Sequence, residues 1–333
     1  MGAMVLCTRQ AQAMIAELVL SLALAAELPE APPARELAPG VHLIAGAILP
    51  GRGPDGNTVI FEAPDGLIVV DTGRHVWHSD AIISFAAERQ RPVAAIFNTH
   101  WHLDHSSGNA RIKSIFPDAP VYTTRAIEGA IAPGGFLVRN LERTRQRAAD
   151  PATPEGEREE MAIYIATMDD AESLRPDIAV EGSQRMRIAG RRLDVRVTGG
   201  AVSAADIWLY DRRTRVVVLG DLVTFPAPFF ESACPDAWRA ELDAIWATPF
   251  RIAVPGHGEP MTRDQFNVYR TAYGAFIDCV NSEGEVAQCA SRWEEGVAQF
   301  LPNDAARAEA RAYAAYYVGF LRQNGGASPD CVN

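Results

Sequence analysis

The sequence predicts an α/β layered fold. Short apolar runs alternate with amphipathic helical segments along most of the chain. Several of those runs end abruptly in Asp or Gly, which marks the ends of buried strands. At 333 residues, with 48% hydrophobic and 22% charged content, the chain is long enough to bury a large core.

The elements follow in order. Leu18–Ala26 is a short apolar run with Arg9 upstream and the small-x-small pattern Ala23-Leu24-Ala25, so residues 1–26 read as a signal peptide. An apolar helix packed on the domain is the alternative. Residues 27–40, rich in Pro, Glu and Ala, read as a linker. Val41–Ala45 opens the strands. Thr58–Glu62 and Leu67–Asp71 flank the hairpin signal Ala63-Pro64-Asp65-Gly66. A helix is expected over Ser79–Arg89, a strand over Val93–Phe97, a helix over Gly108–Ile115 and a strand at Val121-Tyr122.

Residues from about 123 to 176 interrupt the rhythm. Arg143–Glu160 is charged and broken by Pro151 and Pro154, which suits a helical insertion, either a lid or a solvated excursion. Strand patterns resume at Met186–Ile188, Leu193–Val197, Asp206–Tyr210 and Arg215–Leu219. Residues 262–333 read as a helical extension. Phe266, Tyr269, Tyr273, Phe276 and Val280 form one apolar stripe expected to pack on the core.

The most informative segment is His100-Trp101-His102-Leu103-Asp104-His105, directly after the strand Val93–Phe97. Neutral imidazole and carboxylate are preferred ligands of zinc and other borderline metals. A strand-to-helix turn would present them on a rigid base. Further strand ends carry Asp71 (Leu67–Gly73), Asp221 (Val216–Asp221) and His257 (Val254–Gly258).

The motif His-x-His-x-Asp-His, with those three strand ends in this order from about residue 41 to 261, resembles the metallo-β-lactamase superfamily. The resemblance implies an αβ/βα four-layer sandwich and a zinc-dependent hydrolase, with one tightly bound Zn2+ and room for a second. It implies a first metal position at His100 and His102 and a second at Asp104, His105 and His257, with Asp221 between them. Asp71 would accept the free N–H of a ligand histidine and fix its ring. Asp104 or Asp221 would orient the attacking water and pass its proton to the leaving group. Metal-bound water, acidified to near pKa 7, would supply the hydroxide.

One position departs from that family. The segment that usually begins with the third ligand histidine reads Val202-Ser203-Ala204-Ala205-Asp206, so valine stands at the ligand position. His257 is the only histidine after His105. The expected outcome is a weakened first position and a tighter ion on Asp104, His105, Asp221 and His257. His75 and His78 are the nearest further imidazoles. A single ion favours activated acyl substrates (lactone, lactam, thioester or ester) over phosphodiesters. An iron-dependent oxidoreductase on the same fold and a metal-binding protein without activity remain open alternatives. Trp101, Phe229 and Phe230 flank the site loops and could line an apolar pocket, or serve as core aromatics.

Net charge and cysteines bound the setting. A formal charge of −11 disfavours nucleic acid as partner and leaves a small-molecule substrate. No membrane span is expected in the mature chain. Removing residues 1–26 would remove Cys7 and leave Cys234, Cys279, Cys289 and Cys331. These suit two disulfides in a periplasmic or secreted protein, with Cys279–Cys289 the nearest pair, or buried free thiols.

Overall fold

The structure is a computed structural model that describes residues 32–49 and 52–331. The signal peptide expected over residues 1–26 lies outside the described residues.

Two sheets face each other. The first has seven strands in the order β1 to β7: β1 (Arg35–Ala38), β2 (Val41–Ile44), β3 (Thr58–Ala63), β4 (Gly66–Val70), β5 (Val93–Phe97), β6 (Val121–Thr123) and β7 (Ile178–Ala179). The second has six, in the order β13 (Met261–Thr262), β12 (Ile252–Val254), β11 (Val216–Val218), β10 (Ala205–Asp211), β9 (Arg191–Gly199) and β8 (Gln184–Ile188).

Alternation along each strand builds the layers. Val59, Phe61, Ile68, Val70, Ile207, Leu209, Val216 and Val218 point between the sheets into one shared core. Ile60, Leu67, Val69 and Ile96 point outward, against α1 (Val76–Glu88) and Ile112. On the far side, Trp208, Tyr210, Val217 and Ala253 meet the C-terminal helices. The result is the four-layer αβ/βα sandwich. Strands buried on both faces read as continuous apolar runs, which is why the sequence showed them so plainly.

Two boundaries differ from the sequence reading. Part of the expected linker, Arg35–Ala38, is a strand paired antiparallel with β2, Arg35 opposite Leu43. Its charged residues hide it, because an edge strand is specified by its partner and not by its own propensity. Helix α1 begins at Val76, three residues before expected. The Asp55 carboxylate, twenty residues before His75, accepts the backbone N–H groups of Arg74 and His75 and so fixes the turn that leads into the helix.

The stretch between β6 and β7 contains α4 (Ala126–Ile131), α5 (Phe136–Ala148) and α6 (Glu155–Asp169), following the short α2 (Leu103–Ser106) and α3 (Asn109–Ile115) of the site. Glu160 of α6 hydrogen-bonds His75 and the Gly53 N–H, anchoring this stretch to the site rim. After β11 come α7 (Pro235–Ala247), α8 (Arg263–Val280), α9 (Val286–Val297) and α10 (Asp304–Gln323). The stripe Phe266, Tyr269, Tyr273, Phe276 and Val280 is buried against the second sheet and its neighbouring helices. Cys279–Cys289 bridges α8 to α9, and Cys234–Cys331 ties the C-terminal segment to the start of α7. No helix among the described residues is long and apolar enough to cross a membrane.

Strands β4 and β5 run parallel, as do β11 and β12. Their carboxyl ends carry Asp71, His100–His105, Asp221 and His257, so the sandwich gathers ligand-type side chains from both sheets at one edge.

Candidate metal centre and its pocket

Asp71 follows β4 with φ 61°, a left-handed conformation that Asp tolerates better than most residues. Its Oδ1 accepts the Thr99 backbone N–H at 2.7 Å, and Oδ2 accepts the Thr99 hydroxyl at 2.8 Å. His105 Nδ1 lies 2.8 Å from the same Oδ2. A carboxylate can only accept, so Nδ1 holds the proton and His105 Nε2 faces away toward the cluster. Thr99 Oγ1, having donated to Asp71, also accepts from His100 Nδ1 at 2.9 Å. One buried carboxylate therefore orients His105 directly and His100 through Thr99.

The outward-facing atoms converge. His105 Nε2 lies 3.3 Å from His257 Nε2 and 3.6 Å from Asp104 Oδ2. His257 Nε2 is 2.9 Å from Asp104 Oδ2. A tetrahedral ion with bonds of about 2.0–2.1 Å separates its ligand atoms by about 3.3 Å. The triangle Asp104–His105–His257 thus has the spacing of three metal ligands with a fourth position open. Asp221 Oδ1 stands 3.2 Å from His105 Nε2 and 3.6 Å from His257 Nε2, buried and without a hydrogen-bond partner. His100 Nε2 is likewise buried and unpartnered, 3.9 Å from Asp221 Oδ2. Orphaned lone pairs of this kind are costly unless something binds them.

Two groups among the described residues could hold an ion: Asp104, His105 and His257, and His100, His105 and Asp221. His102 falls in neither. Its Nε2 lies 2.9 Å from Ser232 Oγ, which donates to the Val202 carbonyl. Val202 is buried, its N–H bound to Asp206, and its side chain offers no ligand atom. His75 and His78, the further imidazoles considered, lie outside both groups. His75 sits between Asp55 and Glu160, and His78 Nε2 pairs with Thr58 Oγ1.

The cluster is strongly polarised. Burial opposes the imidazolium of His105, but Asp221, Asp104 and Asp71 outweigh it and hold its pKa well above the usual value. Burial likewise opposes charge on His257, and Asp221 and Asp104 again win. Burial opposes the Asp104 and Asp221 carboxylates, yet His105 and His257 keep both ionised well below the usual range. His100 goes the other way: burial, with His105 and His102 nearby, holds it neutral. Burial likewise lowers His102, to about 4.

Several supporting residues carried no motif. Asn57 donates to the Pro255 and Gly258 carbonyls and so fixes the loop presenting His257. A Cβ at Gly56 would collide with the His105 ring, and one at Gly256 with Asp221 Oδ1. Glycine at these two positions lets the backbone approach the ligands.

A cavity of about 1260 Å³ opens beside the cluster. Its lining includes Asp104, Asp221, His257, Arg52 and Arg74, together with Trp101, Phe136, Phe229 and Tyr317. Of the two roles open to these aromatics, Trp101 and Phe229 line the pocket and Phe230 serves the core. The Phe230 ring packs in the core against Trp238 and Tyr273.

Comparison with known proteins bears on the fold and the family. A curated linear primary-alkylsulfatase from Pseudomonas sp. (strain ATCC 19151) is 26% identical over 222 residues, covering 61% of this chain and 41% of the relative. This chain therefore spans less than half of that protein's length. Among solved structures, a stereoselective inverting sec-alkylsulfatase from Pseudomonas sp. superposes with TM-score 0.59 at 17% identity, over 88% of this chain and 51% of that one. A metallo-β-lactamase family protein from Thermus thermophilus gives 0.57 at 18% identity, over 87% and 95%. These likenesses speak to the fold. The family profile of the metallo-β-lactamase superfamily matches residues 51–257, more than half of the sequence and a span that contains every ligand-type residue of the cluster, so the chain belongs to the metallo-β-lactamase superfamily.

Proposed function

We propose that the chain hydrolyses an activated acyl substrate (a lactone, lactam, thioester or ester) using one tightly held Zn2+. The observation that carries this reading is the Asp104–His105–His257 triangle, at metal-ligand spacing, opening onto an aromatic cavity. Those three residues would hold the ion, with Asp221 at their edge. When bound, the ion supplies Lewis-acid polarisation and makes water acidic enough to attack at neutral pH.

The chain's own residues do the rest. Asp71 keeps the His105 ring fixed with its lone pair outward. Asp221 Oδ1 accepts a proton from the attacking water as the new C–O bond forms. That proton passes to the leaving group as its bond to the acyl carbon breaks. Trp101, Phe136 and Phe229 exclude water and seat the apolar part of the substrate.

A second reading has its own support. Arg52 and Arg74 line the same cavity, both paired with Glu160, and Arg74 helps keep Asp104 ionised. Two guanidinium groups suit an anionic substrate, and the curated relative is an alkylsulfatase. A matched pair decides: an octanoate aryl ester and octyl sulfate, each with the zinc-loaded chain and with His105→Ala. Ester turnover that is lost in His105→Ala supports the acyl reading. Turnover of the sulfate alone supports the second, and turnover of neither overturns both. For setting, the disulfides Cys234–Cys331 and Cys279–Cys289 support a periplasmic or secreted location.

A further inference from the structure

The cavity beside the metal cluster is roomier than a small acyl group needs. Pockets for drug-sized ligands hold about 300–1,000 Å³, and this one holds about 1260 Å³. One wall is the C-terminal helix α10, through Glu309, Ala312, Tyr313, Tyr316 and Tyr317. Their spacing of three and four residues puts them on one helix face. Tyr313 and Tyr316 are 45% and 53% exposed, which leaves their rings open to an occupant. Ring contacts join this face to the ligand motif. His102 meets Phe229 at 5.1 Å, Phe229 meets Tyr317 at 6.2 Å, and Tyr317 meets Tyr316 at 5.0 Å between centroids. Interplanar angles of 79° and 64° at the last two contacts make these rings the sides of a recess and not a flat stack.

Glu231 brings charge to the same recess. The Tyr316 hydroxyl donates to Glu231 Oε1 at 3.0 Å, and the Ser328 hydroxyl donates to the Glu231 carbonyl at 2.6 Å, which pins the residue. Burial, and after it the Glu231 carboxylate, raises the Tyr316 and Tyr317 hydroxyls, so both stay neutral. The two arginines that line the cavity, Arg52 and Arg74, are paired with Glu160. Among the described lining residues, Glu231 therefore has no arginine or lysine partner. Tilted aromatic rings beside such a carboxylate suit an organic cation: the ring quadrupoles attract its charge, and its alkyl groups pack on the rings. We propose that Phe229, Tyr316, Tyr317 and Glu231 form a specificity-determining recess for a quaternary or alkylated ammonium group of the substrate. The inference rests on the acyl reading above in taking this cavity as the substrate's, and it adds the substrate class: an activated acyl compound that carries a cationic group.

Binding and turnover test the two readings separately. Choline and its neutral isostere 3,3-dimethylbutan-1-ol, neither of them hydrolysable, are titrated into the zinc-loaded chain and followed by ligand-observed NMR. A cation over aromatic rings gains from about twofold to about thirtyfold in affinity as it is desolvated, so choline should bind about tenfold more tightly. Glu231→Gln, which keeps an acceptor for Tyr316 but loses the charge, and Tyr316→Leu should each cut that preference to about threefold or less. Tyr316→Phe keeps the ring and should retain most of it. Equal binding of the two probes, binding of neither at millimolar concentration, or an unchanged preference in both Glu231→Gln and Tyr316→Leu overturns the recess. Tighter binding of butyl sulfate than of choline overturns it as well. Turnover of butyrylcholine against 3,3-dimethylbutyl butyrate then bears on the acyl reading: hydrolysis of neither ester, with the choline preference intact, sinks that reading and leaves the recess standing.

Discussion

Asp71→Asn isolates how much of the metal affinity comes from orientation. Asparagine has the same shape and tolerates the left-handed backbone at φ 61°, so the turn is preserved. What changes is acceptor capacity. Asp71 Oδ2 receives both the Thr99 hydroxyl and His105 Nδ1, at 2.8 Å each, while Oδ1 receives the Thr99 N–H at 2.7 Å. An amide must retain an oxygen for the Thr99 backbone, which places its NH2 where Oδ2 stood. Facing a donor, His105 moves its proton to Nε2 or turns its ring, and either change costs a ligand atom. Loss of such an outer partner lowers metal affinity about 10- to 100-fold, or about 1.4–2.7 kcal/mol. Competition against a chelator of known affinity measures the loss, with thermal unfolding of the metal-free protein as control for the fold. Affinity within twofold of the unmodified chain, with the fold intact, would refute the claim that Asp71 sets the His105 tautomer.

Other expectations follow from the same geometry. The raised pKa values of His105 and His257 mean that an incoming ion displaces a proton near neutral pH. Affinity should therefore rise with pH, about tenfold per unit for each proton displaced, and fall as the pH drops toward 5; affinity constant across this range would count against the assignment. Gly256→Ala should drive Asp221 out of place and cut metal-dependent turnover at least about tenfold while circular dichroism stays native; full activity would mean that Asp221 is dispensable. Cys331→Ser opens a cross-link spanning 97 residues and should cost about 2–4 kcal/mol, more than Cys289→Ser, whose bridge spans 10. The reverse order of melting temperatures would contradict that ranking.

What could be read from the residues alone follows from physics. His100, His102, Asp104 and His105 lie within six positions, so chemistry and spacing announced them together. Asp71, Asp221 and His257 each follow an apolar run, a common strand-to-turn punctuation, and became legible as site residues only through the resemblance carried by the ordered motifs. Val202 stood out as an apolar residue at a ligand position. Ser232 could not be found this way. It lies 130 residues from His102 and 30 from Val202, and a single serine between Glu231 and Ala233 has no periodicity to mark it. The same holds for Asp55, whose hold on the turn before α1 exists only once the fold brings it to Arg74 and His75. Phe229 and Phe230 are indistinguishable in sequence, and only the fold sends one to the cavity and the other to the core. Local patterns revealed elements and ligands; partners that meet across the sandwich required the fold.

The central claim is that one ion sits on Asp104, His105 and His257 beside Asp221. Anomalous diffraction at the zinc edge, on crystals grown from zinc-loaded protein, locates it directly. One strong peak is expected about 2.0–2.2 Å from His105 Nε2, His257 Nε2 and Asp104 Oδ2. A peak held by His100 and His102, with the Asp104–His105–His257 triangle bare, would contradict it.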